Sequence, residues 1–224
     1  MIIAKFVITI IIGYLIGSIP FGVIIGKKFA GVDVRNYGSG KMGTTNVLRT
    51  AGRKAAIIVG ILDVLKGVLP VIIAGLIVKD NFIIIGNVGL GVVVSQVAAA
   101  LAAIAGHNWP IFLKFKGGRG VAVFFGGLIA LCPAAALFGG EVLILGVGLT
   151  RFVSLGSIVG AVGSYAILVP LTFLNGIPFV ILVYGLIGAI VIIVMHRDNI
   201  VRLLNGKERK LGEKVEINSS SNKS

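Results

Sequence analysis

Charge is scarce in this sequence, and acidic charge is scarcer still. Only 13% of the 224 residues are charged, with 8 Asp and Glu against 21 Lys and Arg. A soluble globular domain carries about 25% charged residues. With 57% hydrophobic residues and a mean hydropathy of +1.07, the chain is not a disordered one either, because disorder requires low hydrophobicity. The composition indicates a polytopic membrane protein.

Cysteine and clusters of acidic residues are also nearly absent. The single Cys132 excludes an internal disulfide and any zinc or iron–sulfur site built on several cysteines. No group of carboxylates suggests the oxygen ligands of a metal ion. We therefore expect neither a cofactor nor a metal site in this protein.

Long apolar runs fill most of the chain. Residues 6–25, 82–105, 152–174 and 177–195 contain no charge, 55–78 contains only Asp63 and Lys66, and 120–150 contains only Glu141. A helix needs about 20 apolar residues to cross a membrane, and these runs do not alternate as barrel strands do. The run 120–150 is too long for one crossing at ~1.5 Å per residue, and Pro133 predicts a hairpin of two short helices. The sequence therefore predicts an all-α fold with about seven transmembrane helices.

The basic residues are distributed unequally between the two membrane faces. With seven crossings, eighteen of the 21 Lys and Arg residues lie on one face, and only Lys5 and Lys79 lie on the other. The positive-inside rule makes the rich face cytoplasmic, so the N-terminus is predicted outside and the C-terminus in the cytoplasm. A basic rim on anionic lipid accounts for most of this charge, and no nucleic-acid partner is expected. We predict one membrane domain over residues 1–211 and a polar, disordered tail over 212–224.

Three segments on the predicted cytoplasmic face mix polar residues with the charge. In the first, Gly38-Ser39-Gly40 permits a tight turn whose N–H groups can face an anion. If a helix starts shortly afterwards, Asn46 and Arg49 share one face above its N-terminus, which is a natural phosphate site. The segment is not a Walker A loop, because Met42 follows Lys41 where Ser or Thr is required. A polar turn between two spans is the alternative.

The second and third segments offer similar chemistry. Lys116-Gly117-Gly118-Arg119-Gly120 predicts a backbone cradle for an anion with a cation beside it, whereas His107 is interpreted as a loop or cap residue. His196, Asn199 and Arg202 recur at three-residue spacing and share one side of a helical extension of the last span. Such a histidine can bind phosphate or transfer a proton. A basic helix lying on anionic lipid is the alternative for the third segment.

Charged and small residues inside the spans have simpler interpretations. Asp63 and Lys66 are three residues apart on one helix, so we interpret them as a functional pair or as an internal ion pair that holds the bundle together. The glycine pairs at 13/17, 22/26 and 156/160 have the small-xxx-small spacing of closely packed membrane helices.

In this order, the three segments resemble the three signature motifs of the bacterial acyl-phosphate:glycerol-3-phosphate acyltransferases, the PlsY family. The stretches 17–22 and 63–67 are also similar to that family, and the resemblance covers about residues 6–211. It implies a seven-helix bundle in the bacterial inner membrane with a cytoplasmic-side active site. It also implies acyl transfer from acyl phosphate to the 1-hydroxyl of sn-glycerol 3-phosphate, giving lysophosphatidic acid and phosphate, as the first acylation of phospholipid biosynthesis.

The resemblance also implies roles for individual residues. Catalytic roles fall on Ser39, His196 and Asn199, and a structural role falls on Glu208. Substrate binding falls on Asn46, Arg49, Lys116, Gly117, Gly118, Arg119 and Gly120. The sequence departs from the family at three positions, because the family commonly has Asn where Lys41 stands, Ala where Thr44 stands and Lys where Arg119 stands. Besides acyl phosphate and glycerol 3-phosphate, only membrane lipid is an expected partner.

The base of the reaction and the class of protein each have an alternative. No His is followed by Asp five positions later, so the familiar His-x₄-Asp acyltransferase pair is missing. Either His196 or the donor's own phosphate takes the hydroxyl proton, and the resemblance favours the phosphate. A membrane transporter for an organic phosphate is the alternative function, although the polar residues cluster at one face rather than at the midplane. Acyl-chain preference and oligomeric state stay open.

Overall fold

The computed structural model describes residues 2–79, 81–85 and 88–213. This part of the chain is mostly helical, with one small antiparallel ribbon. Its helices are α1 (Ile2–Ser18), α2 (Phe21–Ala30), α3 (Thr44–Val78), α4 (Val92–Asn108), α5 (Val121–Leu131), α6 (Pro133–Thr150), α7 (Val153–Asn175), α8 (Phe179–Met195) and α9 (Arg197–Leu204). The ribbon pairs β1 (Ile83–Ile85) with β2 (Val88–Leu90), and 3₁₀ turns lie at Val34–Asn36 and Ile111–Leu113.

The helices divide by length into full spans and shorter segments. Five stretches are long and apolar enough to cross a membrane, namely Ile2–Ala30, Thr44–Val78, Val92–Leu113, Pro133–Thr150 and Val153–Asn175. A sixth is added if α8 and α9, which are bent by 60° at their junction, count as one span. Helix α5 is apolar but only 11 residues long. The mostly helical membrane fold is confirmed, whereas seven helices of full spanning length are not found among the described residues.

The predicted break within 120–150 is present. Helix α5 ends at Leu131, and α6 begins with Pro133 at its first position, where a missing N–H leaves no helical hydrogen bond unmade. Both ends of this hairpin lie on one side of the bundle. The guanidinium of Arg151 donates to the carbonyl of Leu211 at 3.2 Å, and Arg209 lines the same cavity as Arg119.

Two predicted spans differ from the structure. The first is interrupted between Ser18 and Phe21, because Pro20 has no N–H to continue the helix. The span predicted over 82–105 does not begin at residue 82. Ile83–Ile85 and Val88–Leu90 pair as strands, and the helix starts only at Val92. A run of β-branched residues favours an extended backbone, and apolar composition alone does not separate it from a helix.

Two of the three predicted glycine pairs bring helices into contact, whereas Gly22 and Gly26 pack against Met42 and Val34 in the segment before α3. A Cβ on Gly13 or Gly17 would clash with the backbone of α4, and one on Gly156 or Gly160 would clash with α6. The main core lies between α4, α5, α7 and α8 around the buried Phe124, Leu128, Leu168, Tyr184 and Ile192. Large apolar side chains remain exposed on the outer surface, among them Ile144, Leu149, Phe173 and Leu174. This outer surface suits contact with lipid.

Candidate active site

The three polar segments meet at one cavity of about 410 Å³. It lies at the end of the bundle where α3 and α5 begin and α8 ends. Its polar lining consists of Ser39, Lys41, Thr44, Thr45, Asn46, Arg49, Asp63, His107, Arg119, Ser154, Ser157, His196, Asn199, Glu208 and Arg209. Its apolar wall consists of Val64, Val121, Ala122, Phe125, Leu143 and Val153. The cavity therefore combines a cationic region with an apolar one.

Asn46 organises the loop that carries Ser39. The Asn46 side chain is buried, and its Nδ2 donates to the carbonyls of Val34 and Lys41 at 2.7 and 2.8 Å. Its Oδ1 accepts from the N–H of Ser39 at 2.9 Å. The two glycines that flank Ser39 have φ values of 60° and 67°, which glycine adopts without strain. Asn46 thus positions Ser39 at the cavity wall. The Nδ2 and Oδ1 atoms of Asn46 are both hydrogen-bonded to backbone groups.

Arg49 lies one turn beyond Asn46 on α3 and has few internal contacts. Its Nη2 is 3.5 Å from the carbonyls of Arg209 and Lys210, which is too far for a strong hydrogen bond. Its Nε is buried and has no partner among the described residues. An anion entering the cavity can supply the hydrogen-bond acceptors that this guanidinium lacks.

Two of the three glycines of the second segment use their N–H groups within the protein. The N–H groups of Gly117 and Gly118 donate to the carbonyls of Asn108 and His107 at 3.1 and 3.0 Å. A Cβ on Gly118 would clash with the imidazole of His107. These two glycines therefore allow the loop to approach the end of α4 closely, and their N–H groups are not directed to an anion as the predicted cradle requires.

The remaining residues of that segment separate into two groups. Arg119 and Gly120 line the cavity, whereas Lys116 is exposed and lies outside its lining. Burial and the nearby cations Arg202 and Arg49 lower the pKa of Arg119 to about 10. Its Nε is buried without a partner among the described residues. Arg119 is therefore a second cation whose charge the surrounding protein does not fully compensate.

His196 caps α8 with a neutral imidazole. Its Nδ1 is 2.8 Å from the carbonyl oxygen of Ile192, and because a carbonyl only accepts, Nδ1 carries the proton. Burial, followed by the charge of Arg119, lowers the pKa of His196 to about 4. The Nε2 atom then has a free lone pair at neutral pH. His196 can accept a hydrogen bond from a substrate hydroxyl in the cavity.

Glu208 connects three elements around His196. Its carboxylate accepts hydrogen bonds from Asn199 Nδ2 at 2.6 Å, Arg202 Nε at 2.8 Å and Ser154 Oγ at 2.9 Å. Burial raises the pKa of Glu208, but these hydrogen bonds outweigh it and the net shift is downward. The ionised carboxylate thus ties the chain after α9 to α7 and α9. It leaves the buried Oδ1 of Asn199 without a partner among the described residues.

The third segment is not a straight extension of the last span. Helix α9 is bent by 60° from α8, and this bend turns His196 and Asn199 into the cavity. Several lining residues were not predicted from the sequence. His107, interpreted as a loop or cap residue, is buried in the last turn of α4 and lines the cavity, and Ser154 and Ser157 line it from α7. The three-residue spacing of those serines on one helix face was the available signal.

A cavity with uncompensated cations at the end of an apolar helical bundle defines a membrane protein that binds an anionic substrate. The chain matches the family model of glycerol-3-phosphate acyltransferases over residues 7–206. It is 58% identical to glycerol-3-phosphate acyltransferase 3 of Dehalococcoides mccartyi (strain ATCC BAA-2266 / KCTC 15142 / 195), over 96% of this chain and 99% of that protein. It is 44% identical to the glycerol-3-phosphate acyltransferase of Thermoanaerobacter sp. (strain X514), over 94% and 98%.

Solved structures give the same result. The fold is similar to the crystal structure of PlsY, an integral membrane glycerol 3-phosphate acyltransferase, in its glycerol 3-phosphate form, with a TM-score of 0.79, 37% identity and coverage of 92% and 96%. The lysophosphatidic acid form of PlsY gives a TM-score of 0.78 and 36% identity, with coverage of 92% and 95%. The chain therefore belongs to the glycerol-3-phosphate acyltransferase family, and it is an integral membrane acyltransferase.

Proposed function

We propose that this enzyme transfers a fatty acyl group from an acyl phosphate to the 1-hydroxyl of sn-glycerol 3-phosphate. The products are 1-acyl-sn-glycerol 3-phosphate (lysophosphatidic acid) and inorganic phosphate. The observation that carries this proposal is the cavity itself, where the buried Nε atoms of Arg49 and Arg119 have no hydrogen-bond partner within the described part of the chain and lie beside an apolar wall. Both substrates combine a phosphate with a carbon chain, and PlsY has been crystallised in glycerol 3-phosphate and lysophosphatidic acid forms.

The two arginines would hold the substrate phosphates. A charge-assisted hydrogen bond from a guanidinium to a phosphate oxygen contributes roughly 1.5–3 kcal/mol. Binding would also relieve the repulsion between Arg119 and Arg49, which contributes to the lowered pKa of Arg119. Holding two phosphates in one cavity brings the acceptor hydroxyl next to the donor carbonyl, and this proximity supplies much of the rate enhancement.

Acyl transfer then needs a positioned hydroxyl and a destination for its proton. Ser39, His196 and Asn199 line the cavity and would orient the acceptor, with His196 Nε2 accepting a hydrogen bond from the 1-hydroxyl. A histidine with a pKa of about 4 is a weak base, so the departing phosphate takes the proton instead. The hydroxyl oxygen forms a bond to the acyl carbon while the bond from that carbon to the phosphate oxygen breaks.

An acyl phosphate fits this site better than a thioester does. The acyl phosphate is an activated mixed anhydride, so the reaction requires no acyl-enzyme and no His–carboxylate pair. Its phosphate adds a second anion for the cationic region, while its chain can follow the apolar wall formed by Val64, Phe125 and Leu143. An acyl thioester has no phosphate next to its carbonyl and thus lacks the internal base that this mechanism uses.

We propose that the cavity faces the cytoplasm of a bacterial cell whose inner membrane holds the enzyme. The proposal includes seven crossings, with the short α5 as one of them, and an external N-terminus. The unequal charge of the two faces supports this orientation. On a Cys132→Ala background, a cysteine at Lys207 should react with an impermeant reagent only from the inside, and one at Asn81 only from the outside. The reverse labelling pattern would contradict this orientation.

The activity can be tested with purified protein, labelled glycerol 3-phosphate and either acyl phosphate or acyl-CoA. We expect lysophosphatidic acid to form from acyl phosphate. The rate of its formation should be unchanged in EDTA and strongly reduced when acyl-CoA replaces acyl phosphate. Equal turnover with acyl-CoA would overturn the acyl-phosphate assignment. Uptake of unmodified glycerol 3-phosphate into vesicles without any acylated product would instead identify a transporter.

A further inference from the structure

Lys41 is a cation at the cavity wall, and its backbone is held in place by neighbouring residues. It lines the cavity together with Ser39 and Arg119. Its carbonyl accepts a 2.8 Å hydrogen bond from Asn46 Nδ2, and the next residue, Met42, is buried with 1% of its surface exposed. Because the backbone is held on both sides of Lys41, its side chain starts from a fixed point at the cavity wall.

The ammonium group of Lys41 is not paired with an acid in the part of the chain that the structure describes. The described residues form no ion pair and no hydrogen bond with its ammonium group. Burial first, and then the neighbouring guanidinium of Arg119, lower the pKa of Lys41. Asp198 offsets part of this shift, but it is exposed and its Oδ1 lies 3.8 Å from Arg197 Nε. Placing two cations side by side costs free energy unless an anion lies between them.

The two cations come from different loops. Lys41 precedes α3 and Arg119 precedes α5, so a ligand that contacts both would join the first and second polar segments. Arg49 lines the same cavity, with its Nη2 3.5 Å from the carbonyls of Arg209 and Lys210. The proposed reaction brings two phosphate groups into this cavity at once. A dianion on each phosphate requires more positive charge than Arg49 and Arg119 supply, and Lys41 adds a third cation.

We propose that Lys41 and Arg119 form a two-cation clamp for one substrate phosphate group, with Lys41 as an additional binding residue. This inference rests on the proposed function and deepens it. The ammonium supplies a compact point charge and the guanidinium a planar fork, so together they neutralise a dianion from two directions. The shared chemistry is a phosphate monoester or acyl phosphate group, and kinetics with each substrate distinguishes the two sources.

The clamp can be tested with Lys41→Asn, Lys41→Gln and Lys41→Arg, and with Lys54→Asn as a matched control. Lys54 is exposed on α3 and lies outside the cavity lining. KM is measured for glycerol 3-phosphate at saturating acyl phosphate, and for acyl phosphate at saturating glycerol 3-phosphate. We expect Lys41→Asn and Lys41→Gln to raise one of these KM values at least ~10-fold with a much smaller change in kcat. The substrate whose KM rises is the one that the clamp holds, and Lys41→Arg should largely restore it.

A binding measurement separates the clamp from the proposed reaction. Inorganic phosphate serves as the probe, and its affinity is measured by calorimetry on the folded, unreacted protein. The affinity should fall ~10-fold or more in Lys41→Asn and stay at the wild-type value in Lys54→Asn. Absence of turnover in the wild type would defeat the proposed function while leaving this binding result readable. Phosphate affinity and KM values in Lys41→Asn and Lys41→Gln that equal those of Lys54→Asn would overturn the clamp, and so would a loss confined to kcat.

Discussion

Helix α3 carries buried charge in two places, and the two differ in how that charge is balanced. Near its start, Arg49 faces the cavity with a buried Nε that has no partner among the described residues. Further along, Asp63 and Lys66 are 2% and 1% exposed, and their charged atoms are 2.9 Å apart. Buried charge that is paired within the protein supports the fold, whereas buried charge without a partner indicates a ligand.

The ion pair of Asp63 and Lys66 also stabilises the interruption between α1 and α2. Lys66 Nζ donates to the carbonyl of Ile19 at 2.9 Å, and this carbonyl lies at the interruption between α1 and α2. The ring centroid of Phe21 is 5.5 Å from the same ammonium group, within range of a cation–π contact. Lys66 therefore joins α3 to the first two helices, and the predicted internal ion pair is present in the structure.

The largest expected effect comes from unbalancing that pair. Lys66→Met leaves Asp63 buried without its cation, and such a loss costs about 3–5 kcal/mol. The melting temperature in detergent should fall steeply. The double variant Asp63→Asn with Lys66→Met should be less destabilised than Lys66→Met alone, because the uncompensated charge is also removed. Additive losses in this double-mutant cycle would contradict the assignment.

Removing a cavity cation should lower activity and leave the stability of the protein unchanged. Arg49→Ala and Arg119→Ala each remove a phosphate contact worth roughly 1.5–3 kcal/mol, and kcat/KM should drop ~10- to 150-fold. The melting temperature without substrate should not fall, since the fold gains little from an unpartnered cation. Arg119→Lys should be milder because it keeps the charge. Unchanged kinetics in both alanine variants would remove the phosphate-site assignment.

A smaller effect is expected at His196. Since its pKa lies near 4, an inflection near pH 6 in the kcat/KM profile of the wild type should come from the substrate phosphates, whose second pKa is about 6, and not from His196. His196→Gln should lower kcat/KM ~2- to 10-fold through one lost hydrogen bond and keep the same profile shape. A basic limb that is present in the wild type and lost in the variant would instead make His196 the base.

The same pKa predicts how His196 affects stability. The unfolded chain binds a proton at this histidine below pH ~6.5, while the folded protein does so only near pH 4. The contribution of His196 is therefore complete above pH ~6.5 and is lost as the pH falls toward 4. The melting temperature of His196→Gln should decline less than that of the wild type over this window. Parallel declines would show that the imidazole is not held neutral.

The smallest effect is expected at Lys116. Lys116 is exposed and outside the cavity lining, whereas Arg119, three residues later, lies inside it. Lys116→Ala should change kcat/KM by about 2-fold, because an exposed charge in water contributes little. A loss as large as that of Arg119→Ala would mean that the loop brings Lys116 to the substrate when the substrate binds.

Much of this architecture could be predicted from local sequence signals. Uncharged runs indicated the helices, Pro133 marked the break between α5 and α6, and the spacing of Asp63 and Lys66 indicated their pairing. These features depend on residues that are close together in the chain. Their physical causes, which are apolar length, a missing N–H and the helical repeat, can be recognised without knowing the fold.

Features that depend on distant contacts could not be predicted in this way. The N–H groups of Gly117 and Gly118 are used by carbonyls of α4, and this becomes evident only once the loop is packed against that helix. Glu208 accepts hydrogen bonds from residues of α7 and α9. The 60° bend between α8 and α9 determines the direction in which the polar face of α9 points. The ribbon of Ile83–Ile85 and Val88–Leu90 was missed because an apolar, β-branched run is compatible with both a transmembrane helix and a strand.

We claim that substrate phosphate supplies the hydrogen-bond partners that Arg49 and Arg119 lack among the described residues. The most direct measurement is the thermal stability of the wild type, Arg49→Ala and Arg119→Ala with increasing glycerol 3-phosphate. The wild type should be stabilised by about 2.7 kcal/mol at a ligand concentration 100 times its Kd. At that same concentration the two variants should be stabilised far less. No stabilisation of the wild type, or equal stabilisation of all three proteins, would contradict the claim.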